Sequence, residues 1–241
     1  MKQKMEFVAL RTVRHSDRHS ILSAYSLESG RVAFAIAAGG GREAVRRRAL
    51  LMPLSIVECV ADVKPGREVS VMHEPRAVAP LAGLRCNPMK SSVALFLAEV
   101  LGIVLRDGPP DDLLYNYIRR SIEVLDMLPS ERSANFHICF LWGLGRFIGI
   151  EPDTGDFRAG MVFDMVDGRF RMSAPLHRHY LDPEQSAVVA SLARMTYSNM
   201  WLFRMSRRER NELLDGILKY YSLHYTGLQS MRSLEVLREL F

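Results

Sequence analysis

In the N-terminal third of the chain the hydrophobic pattern has a period of about two. Short, partly alternating runs of apolar and β-branched residues fall at positions 7–13, 20–27, 31–37, 54–60 and 68–73. That spacing predicts half-buried strands. Ser29-Gly30 separates the second and third runs as a hairpin turn, and residues 63–67, Val-Lys-Pro-Gly-Arg, form a turn before the last. Between the third and fourth runs the chain reads Gly-Gly-Gly-Arg-Glu-Ala-Val-Arg-Arg-Arg at 39–48. The glycines allow positive φ or close backbone approach. Residues 43–51 are expected to form a short helix whose last turn carries Arg46, Arg47 and Arg48. Five strands with a helix between the third and fourth is the layout of an OB-fold, a small barrel that often binds nucleic acid.

Beyond residue 82 the period changes to that of a helix. Pro75, Pro80, Gly83 and Pro88 punctuate the change, which divides the chain into domains 1–82 and 83–241. Asn87-Pro88 is a helix start, with asparagine as N-cap and proline in the first turn. Val93, Phe96, Leu97, Val100, Leu101 and Val104 then form one apolar stripe. Gly108-Pro109-Pro110 stops it, and Asp111 and Asp112 open a second helix, with a stripe of Leu114, Tyr117, Ile118, Ser121, Leu125 and Leu128. Ser133 is expected to cap a third helix through Ile148. It is apolar nearly all round and therefore the most buried. Residues 149–180 lose the helical period, and Asp167-Gly168 between two strand-like runs predicts a hairpin with a two-residue link. Asp182-Pro183 starts a fourth helix. Ser206 and Glu209 fit a capping box for a fifth, and residues 230–240 form the last. The fold class is thus α+β: an OB barrel followed by a helical domain with an inserted hairpin near 151–180.

Composition changes this picture in one respect. With 48% apolar and 24% charged residues, the chain reads as an ordinary soluble protein. Its apolar runs fall short of the roughly 20 residues of a membrane span. The N-terminus leads straight into a strand pattern with no signal-peptide core, so a cytoplasmic setting is expected. The formal charge of +5 is all in residues 1–80, which hold 13 Lys/Arg against 8 Asp/Glu; the remainder holds 19 of each. A polyanionic partner for the barrel follows from that asymmetry.

Catalytic chemistry finds no foothold. The glycine run lacks phosphate-loop spacing, and no G-x-S-x-G or H-E-x-x-H occurs. Asp111 and Asp112 are neighbours that point apart on a helix. Cys59, Cys86 and Cys139 are far apart and form no C-x-x-C pair, which argues against a disulfide framework or a cysteine-based zinc site. His177 and His179 near Asp182 are too few ligands for a metal. No enzyme activity, cofactor or metal is expected.

Several segments carry a family resemblance. Leu10-Arg11-Thr12-Val13-Arg14-His15-Ser16-Asp17, Ser20-Ile21-Leu22, Glu28-Ser29-Gly30-Arg31, Pro53-Leu54-Ser55-Ile56-Val57-Glu58 and the ending Ser233-Leu234-Glu235-Val236-Leu237-Arg238-Glu239-Leu240-Phe241 resemble the RecO family of DNA repair proteins. The resemblance implies a protein that binds single- and double-stranded DNA and anneals complementary strands. It further implies work with RecR and single-stranded-DNA-binding protein to help load RecA, in the cytoplasm and associated with the nucleoid. Many members carry two C-x-x-C pairs that bind zinc after the third helix. Residues 151–179 contain no cysteine, so the metal is expected to be absent.

The expected DNA-binding residues are Arg11, Arg14, Arg18, Arg31, Arg42, Arg46, Arg47 and Arg48, acting by phosphate neutralisation. Tyr25 and Phe34 are either base-stacking residues or barrel core. Arg204, Arg207, Arg208 and Arg210, beside Trp201 and Phe203, are the expected site for the acidic C-terminal tail of single-stranded-DNA-binding protein, with Glu209 or Asp215 as the compensating anion. Two other readings remain: a protein-interaction adaptor whose barrel touches no nucleic acid, and an RNA-binding protein.

Overall fold

A computed structural model describes residues 2–37, 39–63 and 68–240. The turn expected at 63–67 lies, apart from Val63, outside them. Five strands close a barrel: β1 (Lys2–Arg14), β2 (His19–Ser26), β3 (Gly30–Ala37), β4 (Ile56–Asp62) and β5 (Ser70–Ala77), in the order β1-β2-β3-β5-β4. β1 is long enough to serve two neighbours. Its first half pairs with β4 from Lys2↔Asp62 to Val8↔Ile56, and its second half pairs with β2 down to Arg14↔Ser20. A register shift between Ala9 and Arg11 lets it bend between them. Parallel pairing of β3 with β5 at Phe34↔Ser70 completes the closure. Met5, Phe7, Leu22, Phe34, Val57 and Cys59 fill the interior, with the rings of Phe7 and Phe34 at 5.0 Å.

The β2–β3 turn takes three residues, 27–29, and then Gly30 at φ +64°. A side chain there would be both strained and blocked, since a Cβ would lie 2.6 Å from the Gly108 carbonyl oxygen. Gly41 instead has φ −76° and open space around it, so positive φ is not what this glycine supplies. Helix α1 (Arg42–Leu50) follows directly.

The helices fall into two compact units. The first comprises Met1–Met127 with Met231–Leu237, and the second Leu128–Ser230 with Arg238–Phe241. The first unit therefore holds, besides the barrel, α2 (Ala82–Cys86), α3 (Pro88–Val104) and α4 (Asp112–Met127). α2 was not foreseen; its Leu84 N–H donates to Asp126 Oδ1 at 2.7 Å. Asn87 caps α3 as expected, its side chain accepting from the Met89 and Lys90 N–H groups. In α4 the core tyrosine is Tyr115, fully buried, rather than the partly exposed Tyr117.

The second unit contains α5 (Phe136–Phe147), the short strands β6 (Val162–Asp164), β7 (Arg169–Arg171) and β8 (Tyr180–Leu181), then α6 (Pro183–Leu192) and α7 (Arg207–His224). The last helix, α8 (Ser233–Leu240), begins in the first unit. Eight of the twelve α5 residues are buried, as its all-round apolarity requires. Ser133 does not cap this helix: its hydroxyl donates to the Ser130 carbonyl and Asn135 holds the cap position. The hairpin forms, but with four connecting residues, 165–168, instead of two. Asp164 causes the difference, because its Oδ1 accepts from the N–H groups of Val166 and Asp167 and pulls the turn in ahead of Asp167-Gly168.

Candidate nucleic-acid interface

Strand pairing decides which arginines meet. β1 is paired with β2 as far as Arg14↔Ser20, and β2 with β3 as far as His19↔Ala37. The β1–β2 tip, with Arg14 and Arg18, therefore stands beside the end of β3 from which the chain enters α1. Arg14 and Arg18 stand on that tip, and α1, which carries Arg42, Arg46, Arg47 and Arg48, follows the β3 end directly, with Arg48 reaching back to the Gly39 carbonyl. α1 buries none of its nine residues, so packing gives no reason for its four arginines. Leu51, just past it, is buried in the barrel core.

Few anions hold these cations. Arg47 pairs with Glu43 one turn back at 3.0 Å, and Arg14 with Asp17 at 2.8 Å. The latter pair is largely exposed and contributes little. Arg48 donates to the Gly39 carbonyl at 2.9 Å. Arg18, Arg42 and Arg46 are in no ion pair among the described residues. Arg47 and Arg48 also stand in the last turn of the helix, at its negative end, where cations are favoured; Arg46, expected there too, lies one residue short of it.

The other two predicted arginines sit elsewhere. Arg11 is exposed mid-strand, opposite Ser23. Arg31 is at the far end of β3, about 20 Å from the α1 end at 3.3 Å per residue. It is half-buried and donates to Ser23 Oγ at 2.8 Å; burial and nearby Arg106 lower its pKa. It does not join the basic end. Tyr25 and Phe34 are fully buried, so neither is available for stacking. Phe34 belongs to the barrel interior, and Tyr25 faces outward against residues 108–110, donating to the Pro109 carbonyl at 3.1 Å.

A different face of the barrel concentrates carboxylates, partly matched by cations: Arg76 lies 3.6 Å from Glu74. Glu6, Glu28, Glu58 and Glu74 surround a hollow of about 240 Å³ together with Lys4 and Arg76. Glu6 and Glu58 are directly opposite. Arg119 offsets the repulsion, donating to Glu6 at 2.9 Å beside the Tyr115 hydroxyl, also at 2.9 Å. Burial and then Glu6 push the Tyr115 pKa up. The barrel thus has a basic end and, on another face, glutamates largely matched by Lys4, Arg76 and Arg119.

The second arginine cluster begins α7. Ser206 and Glu209 form the expected capping box, and this occupies Glu209 with the helix end. The expected anion Glu209 is thus in place in the first turn, and Glu212 adds a partner for Arg208, taking its Nε at 2.7 Å; Asp215 pairs with Arg238. Arg207 donates to the Arg238 carbonyl at 3.1 Å. Arg210 donates to Asn135 Oδ1 at 2.9 Å and to the Met205 carbonyl at 3.0 Å, and burial lowers its pKa. Arg204 alone of the four has no side-chain partner among the described residues.

Sequence spacing missed Arg132, whose guanidinium lies 4.6 Å from the centre of the Trp201 ring, a cation–π contact between residues too distant in sequence for local patterns to pair. Arg132, Arg204, Arg210, Trp201 and Phe203 line a hollow of about 350 Å³. It shares Met205 with an apolar cavity of about 280 Å³ walled by Leu141, Trp142, Phe163, Leu213 and Tyr220. His177 is held by Asp164, Nε2 to Oδ1 at 3.2 Å. Among the described residues no group of three His, Cys, Asp or Glu is arranged to hold a metal ion, and no helix is long and apolar enough to cross a membrane.

Two family models match, "Recombination protein O N terminal" over residues 1–81 and "Recombination protein O C terminal" over 87–234. Curated relatives named "DNA repair protein RecO" align with the chain along essentially its whole length. That of Phocaeicola vulgatus is 38% identical and that of Azobacteroides pseudotrichonymphae 35%, each over 100% of both chains. That of Porphyromonas gingivalis is 33% identical over 97% of both. With both terminal regions matched in order on a closed five-stranded barrel and a helical remainder, the chain belongs to the RecO family.

Proposed function

We propose that this protein is a DNA-binding recombination mediator of DNA repair. It anneals complementary single strands and, with RecR, helps load RecA on DNA coated with single-stranded-DNA-binding protein. The observation that carries the reading is α1: four arginines on a helix with no fully buried residue, following the β3 end beside Arg14 and Arg18, in a chain of the RecO family. Residues 1–82 are the DNA-binding module, engaging single- and double-stranded DNA. Its basic end takes phosphates and releases their counterions without reading sequence. Annealing follows from lowering the repulsion between two polyanions, and no catalytic residue is required.

The second unit takes the acidic tail of single-stranded-DNA-binding protein. A hollow carrying Arg132 and Arg204 that opens beside an apolar cavity suits a peptide of aspartates ending in an apolar residue. Labelled tail peptide should bind the wild-type protein and lose about tenfold in affinity with Arg132→Ala/Arg204→Ala, roughly the value of one charge-assisted contact. Equal affinities would move the site.

The deciding assay for the whole reading is annealing of complementary oligonucleotides coated with single-stranded-DNA-binding protein. Annealing faster than in the protein's absence is the expected result. Absence of acceleration and of any salt-sensitive strand binding would leave the adaptor reading, and preference for RNA strands in competition would leave the RNA-binding one.

A further inference from the structure

The inserted hairpin carries a second charged surface that the barrel-centred reading does not use. From residue 169 to 181 the chain has three arginines and two histidines and no carboxylate. Arg171 and His177 are both drawn to one buried carboxylate, Asp164. Arg171 Nε donates to its Oδ2 at 2.8 Å, and His177 Nε2 lies 3.2 Å from its Oδ1. Asp164 also takes the Val166 and Asp167 N–H groups, so one side chain fixes the hairpin turn and the segment beyond β7 together. A segment fixed in this way is pre-organised for a ligand and pays little ordering entropy on binding.

What that scaffold displays is unusual. Arg169 and Arg178 are exposed and in no ion pair among the described residues. The preceding carboxylates Glu151, Asp153 and Asp156 form no ion pair with the segment among the described residues either. Met172 is 77% exposed and Leu176 fully so. Large apolar side chains standing in water on an ordered segment, interleaved with unpaired cations, match a ligand that offers anionic and apolar surfaces in alternation. A single nucleic-acid strand does so, phosphate by phosphate and base by base, whereas a duplex hides its base faces.

We infer that the segment following β7, with Arg169, Arg178, Met172 and Leu176, is a second contact surface for single-stranded nucleic acid, separate from the basic end of the barrel. The inference rests on the DNA-binding reading above. Annealing needs two strands held at once, and two separate strand surfaces on one chain supply that.

The experiment uses the full chain and a labelled oligothymidylate, with Arg169→Ala/Arg178→Ala placed both in wild type and in Arg46→Ala/Arg47→Ala/Arg48→Ala. In wild type the double change should lower strand affinity about fivefold and the salt slope by about 1.4, near 0.7 per neutralised phosphate. In the barrel-variant background it should remove the residual binding. Met172→Ser/Leu176→Ser should weaken single-strand binding about threefold and leave duplex binding unchanged. Circular dichroism checks that each variant is folded. Unchanged affinity in both backgrounds would overturn the inference while leaving the barrel's role standing. Unchanged strand affinity together with weakened binding of an acidic peptide would overturn it in favour of a protein partner. A wild-type protein that binds no strand at low salt would sink this inference and the DNA-binding reading together.

Discussion

Helix α1 has four arginines in nine residues, and α7 has three in its first four. On sequence the two runs are alike; in the fold they are not. Of the α1 arginines, Arg47 is half-buried and paired with Glu43 and Arg48 donates to the Gly39 carbonyl, while Arg42 and Arg46 are in no ion pair among the described residues. In the α7 set, Arg207 holds a carbonyl of α8, Arg208 holds Glu212, and Arg210 is half-buried against Asn135 and Met205. Arginine density therefore does not mark an interface by itself. Where helix ends and carbonyls need donors, arginine is a structural donor; where nothing nearby needs one, the charge is left for a ligand.

Measurements on the two units can sharpen that contrast. Both tryptophans, Trp142 and Trp201, lie in the second unit, so tryptophan fluorescence follows that unit and circular dichroism follows the whole. The largest effect should come from acid. Burial, then nearby Arg210, holds the His137 imidazole down to about 3. The unfolded chain takes up that proton near pH 6.5 and the folded chain only near 3. Stability from this group is therefore complete above pH 6.5 and lost as pH falls through that window, by about 1.4 kcal/mol per unit. The urea midpoint read by fluorescence should fall steeply below pH 6, and His137→Gln should flatten the fall. The first unit has no fully buried histidine among its described residues. Equal acid sensitivity of the two units would contradict this placement.

Next in size is Arg210→Ala. It strips donors from Asn135 Oδ1 and the Met205 carbonyl and should cost about 2 kcal/mol in urea unfolding. Loss of tail-peptide binding with no loss of stability would instead make Arg210 a ligand contact. Smallest is Arg208→Ala, which breaks only an exposed pair with Glu212 and should change stability by no more than about 0.5 kcal/mol. The triple α1 change should also be mild on stability, since it removes one partly exposed ion pair and one exposed hydrogen bond.

The barrel was legible because its signals are local: alternation along each strand and a turn residue between them. So were the helix starts at Asn87, Asp182 and Ser206, where a cap bonds three residues ahead. Elements made by distant partners were not. α2 depends on Asp126, and β8 exists only through its pairing with β6. Asp164 altered the hairpin turn by accepting bonds that no dipeptide preference encodes. At the candidate site the exposure of Arg42, Arg46 and Arg48 could be anticipated from a helix with no apolar stripe; the partial covering of Arg47 could not. The burial of Arg31 could not, since it depends on Gly108, whose carbonyl accepts the Arg31 N–H at 3.4 Å across the sequence. The pairing of Arg132 with Trp201 escaped for the same reason.

The central claim is that the basic helix α1 takes phosphate and that Arg207 and Arg208 of α7 do not. A salt titration of single-strand binding, comparing wild type, Arg46→Ala/Arg47→Ala/Arg48→Ala and Arg207→Ala/Arg208→Ala, tests it most directly. The α1 variant should lose affinity on every sequence, and its slope of log affinity against log salt should fall by about 2, near 0.7 for each phosphate no longer neutralised. The α7 variant should keep the wild-type slope. An α1 variant that is folded and titrates like wild type, or an α7 variant that loses the slope in its place, would contradict the account.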